Sequence, residues 1–195
     1  MRNLFGILLI ILLGITSSCE GRITKKQALA EDIEEFKKSV SVQLEIFEPE
    51  SYTEHRVDTT LSNGFRVKIK AYTDMNHSVI FTKIKDTINY QTHYRNFKFD
   101  IIVEKDNKVI YDKSFDKQKA NKAFKFNPNL VKGSDLYNFN KLAILNAIQV
   151  NDDPNYANMV AIDVMYVIPK TDKVSYHKIL INDKGKANFI QTEKH

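Results

Sequence analysis

The spacing of apolar residues changes twice along the chain, and each spacing predicts a different element. Residues 4–15 form an almost unbroken apolar run. Across residues 24–39 apolar side chains recur every three or four positions, which predicts an amphipathic helix. Thr24 and Gln27 have the spacing of a capping box at its start. From His55 onward the period becomes two, which predicts β-strands.

Asn63-Gly64 lies between alternating runs and predicts a hairpin. A type I′ turn needs positive φ at both central positions, and Asn-Gly is the pair that best tolerates it. The same alternation predicts further strands near residues 78–84, 96–104, 108–115, 159–168 and 174–181, and a short last strand that reaches residue 191. The strand at 159–168 is apolar on nearly both faces, which is typical of a central strand.

Two segments do not alternate. Residues 117–133 are basic and rich in turn formers, so we expect a loop. Residues 135–149 have a wide apolar surface, so we expect a helix lying against the sheet. The predicted fold class is α+β, with a mainly antiparallel sheet built from hairpins, an N-terminal helix and one helix packed on the sheet. We expect a signal segment at 1–19, a tether with the N-terminal helix at 20–48, and a single β-rich domain at 49–195.

Composition and charge narrow the classes of function. The chain has 195 residues, 43% of them apolar and 11% aromatic, which is enough to bury one core. Its formal net charge of +5 is compatible with a surface of anionic lipid. The charge is far weaker than the basic footprint of a nucleic-acid-binding domain, so we expect no nucleic-acid partner.

The single cysteine, Cys19, follows the apolar run and the small residues Ser17 and Ser18. As a helix the run would be roughly 18 Å long at about 1.5 Å per residue. The hydrocarbon core of a bilayer is about 30 Å thick, so a cleaved signal is favoured over a permanent anchor. Cysteines of exported proteins usually form disulfides, and Cys19 has no partner within the chain.

The segment Thr16-Ser17-Ser18-Cys19 resembles the lipobox of bacterial lipoproteins, with Thr16 where that family most often has Leu. The resemblance implies that the thiol of Cys19 is acylated and that the preceding peptide is removed. An ordinary secretory signal and an uncleaved anchor are the alternatives. Two or three acyl chains hold a protein stably at a membrane.

The whole layout is similar to that of uncharacterised lipoproteins of Bacteroidota, which are classed as domains of unknown function. The similarity lies in the lipobox, the short tether and strands such as 65–73 followed by Asp74-Met75-Asn76. It implies a lipid-anchored protein of the cell envelope. Surface-exported lipoproteins of this group tend to carry an acidic cluster after the cysteine, whereas here only Glu20 follows it, so the resemblance implies the periplasmic side of the outer membrane. The resemblance carries over no functional residue.

No catalytic signature occurs in the sequence, so we predict no catalytic residue, metal ion or cofactor. We expect a non-catalytic binding or accessory module whose partner is an envelope protein or glycan. One alternative is a periplasmic carrier that holds a small apolar ligand between the sheet and the 135–149 helix. Another is an enzyme acting on envelope glycan or lipid, with Asp74 or Asp152 as its candidate carboxylate.

Two groups of polar residues are candidate binding sites. Arg66, Lys68 and Lys70 alternate along one face of a predicted strand. This stripe is either a solvated face or a contact for lipid phosphates or an acidic partner. The other group, Asp74, Asn76 and His77, crowds a predicted turn. Such residues either bond to the turn's own backbone or form a weak ligand site.

Two shorter patterns also suggest chemistry. The segment 151–155, Asn-Asp-Asp-Pro-Asn, gathers oxygen donors, so it is either a turn or a weak cation site. Thr59 and Thr87 each follow an aspartate. Their contexts, Asp-Thr-Thr and Asp-Thr-Ile, resemble the three-residue O-glycosylation signal of Bacteroidota, which would make both residues candidate acceptors.

Overall fold

A computed structural model describes residues 24–39, 42–134 and 136–192. The strands are β1 Val42–Glu48, β2 Glu54–Thr60, β3 Phe65–Lys85, β4 Ile88–Lys105, β5 Lys108–Phe115, β6 Ile144–Asn151, β7 Met159–Val167, β8 Val174–Asn182 and β9 Ala187–Thr192. The helices are α1 Lys25–Ser39, α2 Lys117–Ala123 and α3 Phe139–Leu142, with a 3-10 turn at Pro154–Tyr156. The signal segment and Cys19 lie outside the described residues, so lipidation stays a prediction.

These elements belong to two compact units. One unit contains α1, residues 42 and 43, and the tip of the β3–β4 hairpin at 84–89. At the start of α1, the Gln27 N–H donates to Thr24 Oγ1 at 3.2 Å, and the Thr24 N–H donates to Gln27 Oε1 at 3.0 Å. Across the described ranges, no helix is both long and apolar enough to cross a membrane.

The other unit contains the remaining described chain from residue 44 and is built on two sheets. Sheet A is mixed and has the strand order β1-β4-β3-β2, with β5 also paired to β4. Sheet B is an antiparallel meander with the order β6-β7-β8-β9. The coarse prediction, a mainly antiparallel fold with a few helices, is therefore confirmed.

The inner faces of the two sheets share one hydrophobic core. Alternate residues point into it: Val67 of β3 and Ile162 of β7 are both fully buried. Aromatic rings link the layers, since Phe115 of sheet A and Phe189 of sheet B have their centroids 5.8 Å apart. The alternation of side chains thus buries one face of each strand and exposes the other.

The hairpin at Asn63-Gly64 is confirmed, but its turn is not type I′. Of the two residues only Gly64 has a positive φ, of 83°. The Gly64 N–H donates to the Leu61 C=O at 3.0 Å, and the Leu61 N–H donates to the Phe65 C=O at 2.7 Å. The loop therefore has three residues, with glycine in the left-handed position that forms a bulge.

The turn predicted at Asp74, Asn76 and His77 is wrong, because β3 runs through these residues without reversing. Asp and Asn favour turns because their side chains bond to nearby backbone. Asp74 makes such a bond inside the strand, where its Oδ1 accepts from the Asn76 N–H at 3.1 Å. The chain reverses only at Asp86-Thr87, where φ is 55° and 85°.

The long helix predicted at 135–149 is wrong, because only Phe139–Leu142 are helical, as α3, and the chain from Ile144 onward forms β6. The register of β6 against β7 shifts between Leu145 and Ala147, which is a β-bulge. Its buried side chains, Leu145 and Ile148, are consequently three positions apart, as on a helix. The bulge gave a strand the apolar spacing of a helix.

α3 packs on the core through Phe139, and a second core-packing helix comes from the predicted loop at 117–133. This helix, α2, is capped by Asp116, whose side chain accepts from the Lys119 N–H at 2.8 Å. Ala120 of α2 is 1% exposed and belongs to the core. The many lysines and turn formers of the segment favoured a loop in the sequence and obscured this short helix.

We predict that Gly185→Ala lowers the free energy of unfolding much more than Gly133→Ala. A Cβ on Gly185, in the β8–β9 turn, would lie 1.9 Å from the backbone oxygen of Ile110 in β5, whereas a Cβ on Gly133 meets nothing within 4 Å. Both glycines have positive φ, so both alanines carry the left-handed strain of roughly 1–2 kcal/mol. The clash should add about 2 kcal/mol or more to Gly185→Ala. Urea unfolding measures the difference, and equal losses would contradict the close packing of this turn on β5.

Candidate functional site

A depression of about 650 Å³ on the solvent-facing side of sheet B is the candidate site. Strand register builds it from two rows of side chains. One row runs across β6, β7 and β8 through Gln149, Asp163 and Lys178. The next row runs across four strands through residues 147, 165, 176 and 192, which include Met165 and Tyr176. Residues two apart on a strand share a face, so the rows lie side by side.

A chain of polar contacts fixes the centre of the depression. Lys178 Nζ lies 3.3 Å from Asp163 Oδ1 and donates to the Tyr156 hydroxyl at 2.9 Å. Asn151 Nδ2 donates to Asp163 Oδ2 at 2.7 Å. The hydrogen bond to Tyr156, together with the Asp163 carboxylate, raises the pKa of Lys178. These contacts hold the Lys178 ammonium and the Asp163 carboxylate in place.

The β2–β3 hairpin of the other sheet holds the loop of Tyr156 in position. The Asn63 side chain donates to the backbone oxygens of Tyr156 and Met159 at 3.2 and 3.0 Å. The same side chain also serves its own turn, because Asn63 Oδ1 accepts from the Phe65 N–H at 3.3 Å. The loop that carries Tyr156 is therefore tied to both sheets.

The lining suits a polar ligand without a large charge. Amide, carboxylate, ammonium and hydroxyl groups offer both donors and acceptors. Lys178 compensates Asp163, and Asp153 at the rim is the remaining charged group of the lining. Tyr176 adds an aromatic ring, half-buried beside Met165. The volume falls within the range of about 300–1,000 Å³ typical of small-ligand sites.

The predicted basic stripe is placed on the outer face of sheet A, and carboxylates pair with each of its cations. Arg66 makes two bonds to Asp58, at 2.8 and 2.9 Å. Lys68 lies 2.5 Å from Glu104, and Lys70 lies 3.3 Å from Glu54. Arg66 also lowers the pKa of Asp58 by its hydrogen bonds. The stripe presents little net charge, and its contact with an anionic partner stays a prediction.

Asp74 and His77 do come together, although not in a turn. The largely buried Asp74 accepts from His77 Nδ1 at 2.9 Å and lies 3.2 Å from Lys98 Nζ. Burial opposes ionisation of Asp74, but bonds from the Asn76 N–H, Lys98 and His77 lower its pKa overall. Asn76 takes part in this cluster through its backbone N–H, which donates to Asp74. Within the described ranges no set of three or more His, Cys, Asp or Glu residues could hold a metal ion.

The oxygen-rich segment 151–155 uses its side chains on local backbone, as a turn does. Asn151 Oδ1 accepts from the Asp153 N–H, and Asp153 Oδ1 accepts from the Asn155 N–H, both at 2.9 Å. Asp152 accepts from the Ser62 hydroxyl at 3.1 Å. The turn interpretation is therefore confirmed.

The two candidate acceptors for O-glycosylation lie in different environments. Thr87 is exposed at the tip of the β3–β4 hairpin, whereas Thr59 is half-buried in β2. Glycosylation at either residue stays a prediction.

His177 is a buried titratable residue that the sequence analysis did not identify as a candidate site residue. It is 2% exposed, and its Nε2 is 2.9 Å from the Ser175 hydroxyl, while Nδ1 has no hydrogen-bond partner. Phe124 and Phe126 pack on the ring, with centroids 4.6 and 4.9 Å away. Burial lowers the pKa of His177 to about 4, so the ring is neutral at physiological pH.

The sequence matches no protein-family model, and no curated protein is significantly similar to it. The resemblance to lipoproteins of Bacteroidota therefore stays a prediction.

Sequence reasoning missed the depression itself. A usable signal was present, because Asp163 is the single charged residue in the otherwise apolar stretch 159–167. A carboxylate on a central strand needs a partner. The identity of that partner, Lys178, depends on the register of β7 against β8, which no local pattern specifies.

We predict that His177 makes the protein less stable as pH falls from about 6.5 to 4. The pKa is lower in the folded state, so the unfolded state binds the proton first and stability is lost on acidification. A difference of about 2.5 pKa units corresponds to roughly 3 kcal/mol. Urea unfolding across this pH range should show the loss in wild type and a shallower loss in His177→Gln. The exposed His55→Gln is the control, and a profile unchanged by His177→Gln would contradict the prediction.

Proposed function

We propose that this chain is a lipid-anchored protein of the cell envelope that acts as a non-catalytic binding module. The lipobox-like end of the apolar run, Thr16 to Cys19, supports the anchor. Acylated Cys19 would hold the protein on the periplasmic side of the outer membrane. The helix α1, which is 15 residues long, would then be a spacer of about 22 Å at about 1.5 Å per residue.

The ligand proposed for this module is a glycan of the envelope, bound in the depression on sheet B. The observation that carries this proposal is the pair of cross-strand rows described above. One row offers ionised and amide groups to sugar hydroxyls. The other offers the ring of Tyr176, on which the apolar face of a sugar ring can pack. A nucleotide or phosphate would need more positive charge than Lys178 supplies.

The carrier and enzyme hypotheses have less structural support than the glycan proposal. The carrier hypothesis depended on a helix spanning 135–149, whereas the helix there is limited to Phe139–Leu142 and residues from Ile144 onward form β6. One cavity at this segment, beside Phe124, Phe126 and Phe139, has about 190 Å³, below the usual size of a ligand pocket, and the larger groove at residues 144–148 has the polar residues 53–55 as its other wall. For an enzyme, the candidate carboxylates Asp74 and Asp152 are already hydrogen-bonded to protein groups.

We predict that Cys19→Ala leaves the protein unprocessed or soluble, without a lipid anchor. Without the thiol no acyl chain can be attached, and the described domain has no helix that could replace the anchor. Wild-type protein should stay in the membrane fraction after a high-salt wash, and the variant should not. The salt wash removes proteins held by charge alone. A variant that still fractionates with membranes would overturn the lipoprotein proposal.

We predict that Tyr176→Ala weakens glycan binding at least tenfold, or about 1.4 kcal/mol. The full chain is tested on an array of bacterial envelope glycans, with peptidoglycan fragments and outer-membrane polysaccharides. Tyr52→Ala is the matched control, because Tyr52 is a surface tyrosine outside the depression. Binding that both variants retain would place the glycan elsewhere, and an array without any bound glycan would overturn the ligand class.

A further inference from the structure

The strand β6 is an open edge of sheet B with little protection. Its sequence, Ile-Leu-Asn-Ala-Ile-Gln-Val-Asn, contains no charged residue and no proline. Natural edge strands usually carry charges, prolines or bulges that prevent pairing with another chain. β2, the edge of sheet A, follows that rule with Glu54, Arg56 and Asp58. β6 has only its bulge near Asn146.

A groove of about 540 Å³ lies along this edge. Five consecutive residues of β6, 144–148, line one wall, which means that the strand's backbone edge faces the groove. The opposite wall is formed by residues 53–55 at the start of β2. Ala71 and Phe97 contribute apolar surface between the walls. The groove thus combines the edge of β6 with apolar surface from Ala71 and Phe97, and its opposite wall carries the polar residues Thr53, Glu54 and His55.

We propose that an extended peptide segment of another protein pairs with β6 and adds a strand to sheet B. The backbone of the open edge would supply hydrogen bonds, and alternate apolar side chains of the peptide would enter the groove. β6 is eight residues long, so it can pair with six to eight residues of peptide over roughly 20–26 Å at about 3.3 Å per residue. This interaction is independent of the glycan proposal.

A second copy of this chain is a poorer occupant. If two copies paired through β6, each would have to fill the partner's groove with side chains from its own β6. Among the apolar side chains of β6, Leu145 and Ile148 are only 6% and 8% exposed because they belong to their own core, and Val150 packs against that core. A folded copy cannot place these side chains in a partner's groove, because they are packed in its own core.

The test uses the detergent-solubilised full chain and a phage-displayed library of random twelve-residue peptides. Enriched peptides are synthesised, and their dissociation constants are measured by fluorescence anisotropy. Two variants are compared, Asn146→Lys on β6 and Asn188→Lys on β9. Both asparagines are exposed and lie on edge strands of sheet B, but only Asn146 lines the groove. Circular dichroism checks that both variants are folded.

The proposal predicts enriched peptides with apolar residues at alternate positions. Their affinity should fall at least tenfold in Asn146→Lys and stay within twofold in Asn188→Lys. Hydrogen exchange on wild-type protein gives a second readout, since bound peptide should slow exchange of β6 amides. The proposal is overturned if no peptide is enriched, if Asn146→Lys binds as wild type does, or if sedimentation shows a dimer that Asn146→Lys dissociates.

Discussion

The whole domain depends on burying one face of each sheet in a single shared core. Because side chains alternate along a strand, the demand that Ile162 be inside forces Asp163 outside. The same rule applies to His177 and Lys178 on the neighbouring strand. The candidate site is thus a by-product of core formation, since antiparallel register aligns outward residues of neighbouring strands into rows.

Local patterns predicted the strands well where they alternate without interruption. β5, β7 and β8 begin and end within a residue of their expected bounds, because alternation and turn residues agree there. Prediction failed where one extra residue or one side-chain bond changed the pattern. The bulge in β6 imitated helical spacing, and Asp74 made a turn-like bond within a continuous strand. Neither event is visible without the neighbouring strand.

The surface chemistry was harder to predict, because charge depends on what lies opposite. In the sequence Arg66, Lys68 and Lys70 form a basic stripe, yet the fold sets carboxylates from β2 and β4 beside them. Asp163 and Lys178 are 15 positions apart in the sequence and meet only through the pairing of β7 with β8. Composition gives the total charge of a chain, but strand register decides which charges remain available to a ligand.

Asn63 connects sheet A with the Tyr156 loop of sheet B, and this connection also affects how the two sheets move. Its side chain lies on the β2–β3 turn, and its two bonds reach the loop that carries Tyr156. A ligand that immobilises Tyr156 would therefore also restrain the turn of the opposite sheet. Through the Asn63 amide, and through the Ser62 hydroxyl bonded to Asp152, occupancy of one face becomes coupled to the dynamics of the hairpin on the other sheet, and the cost of ordering that hairpin becomes part of the affinity of the site.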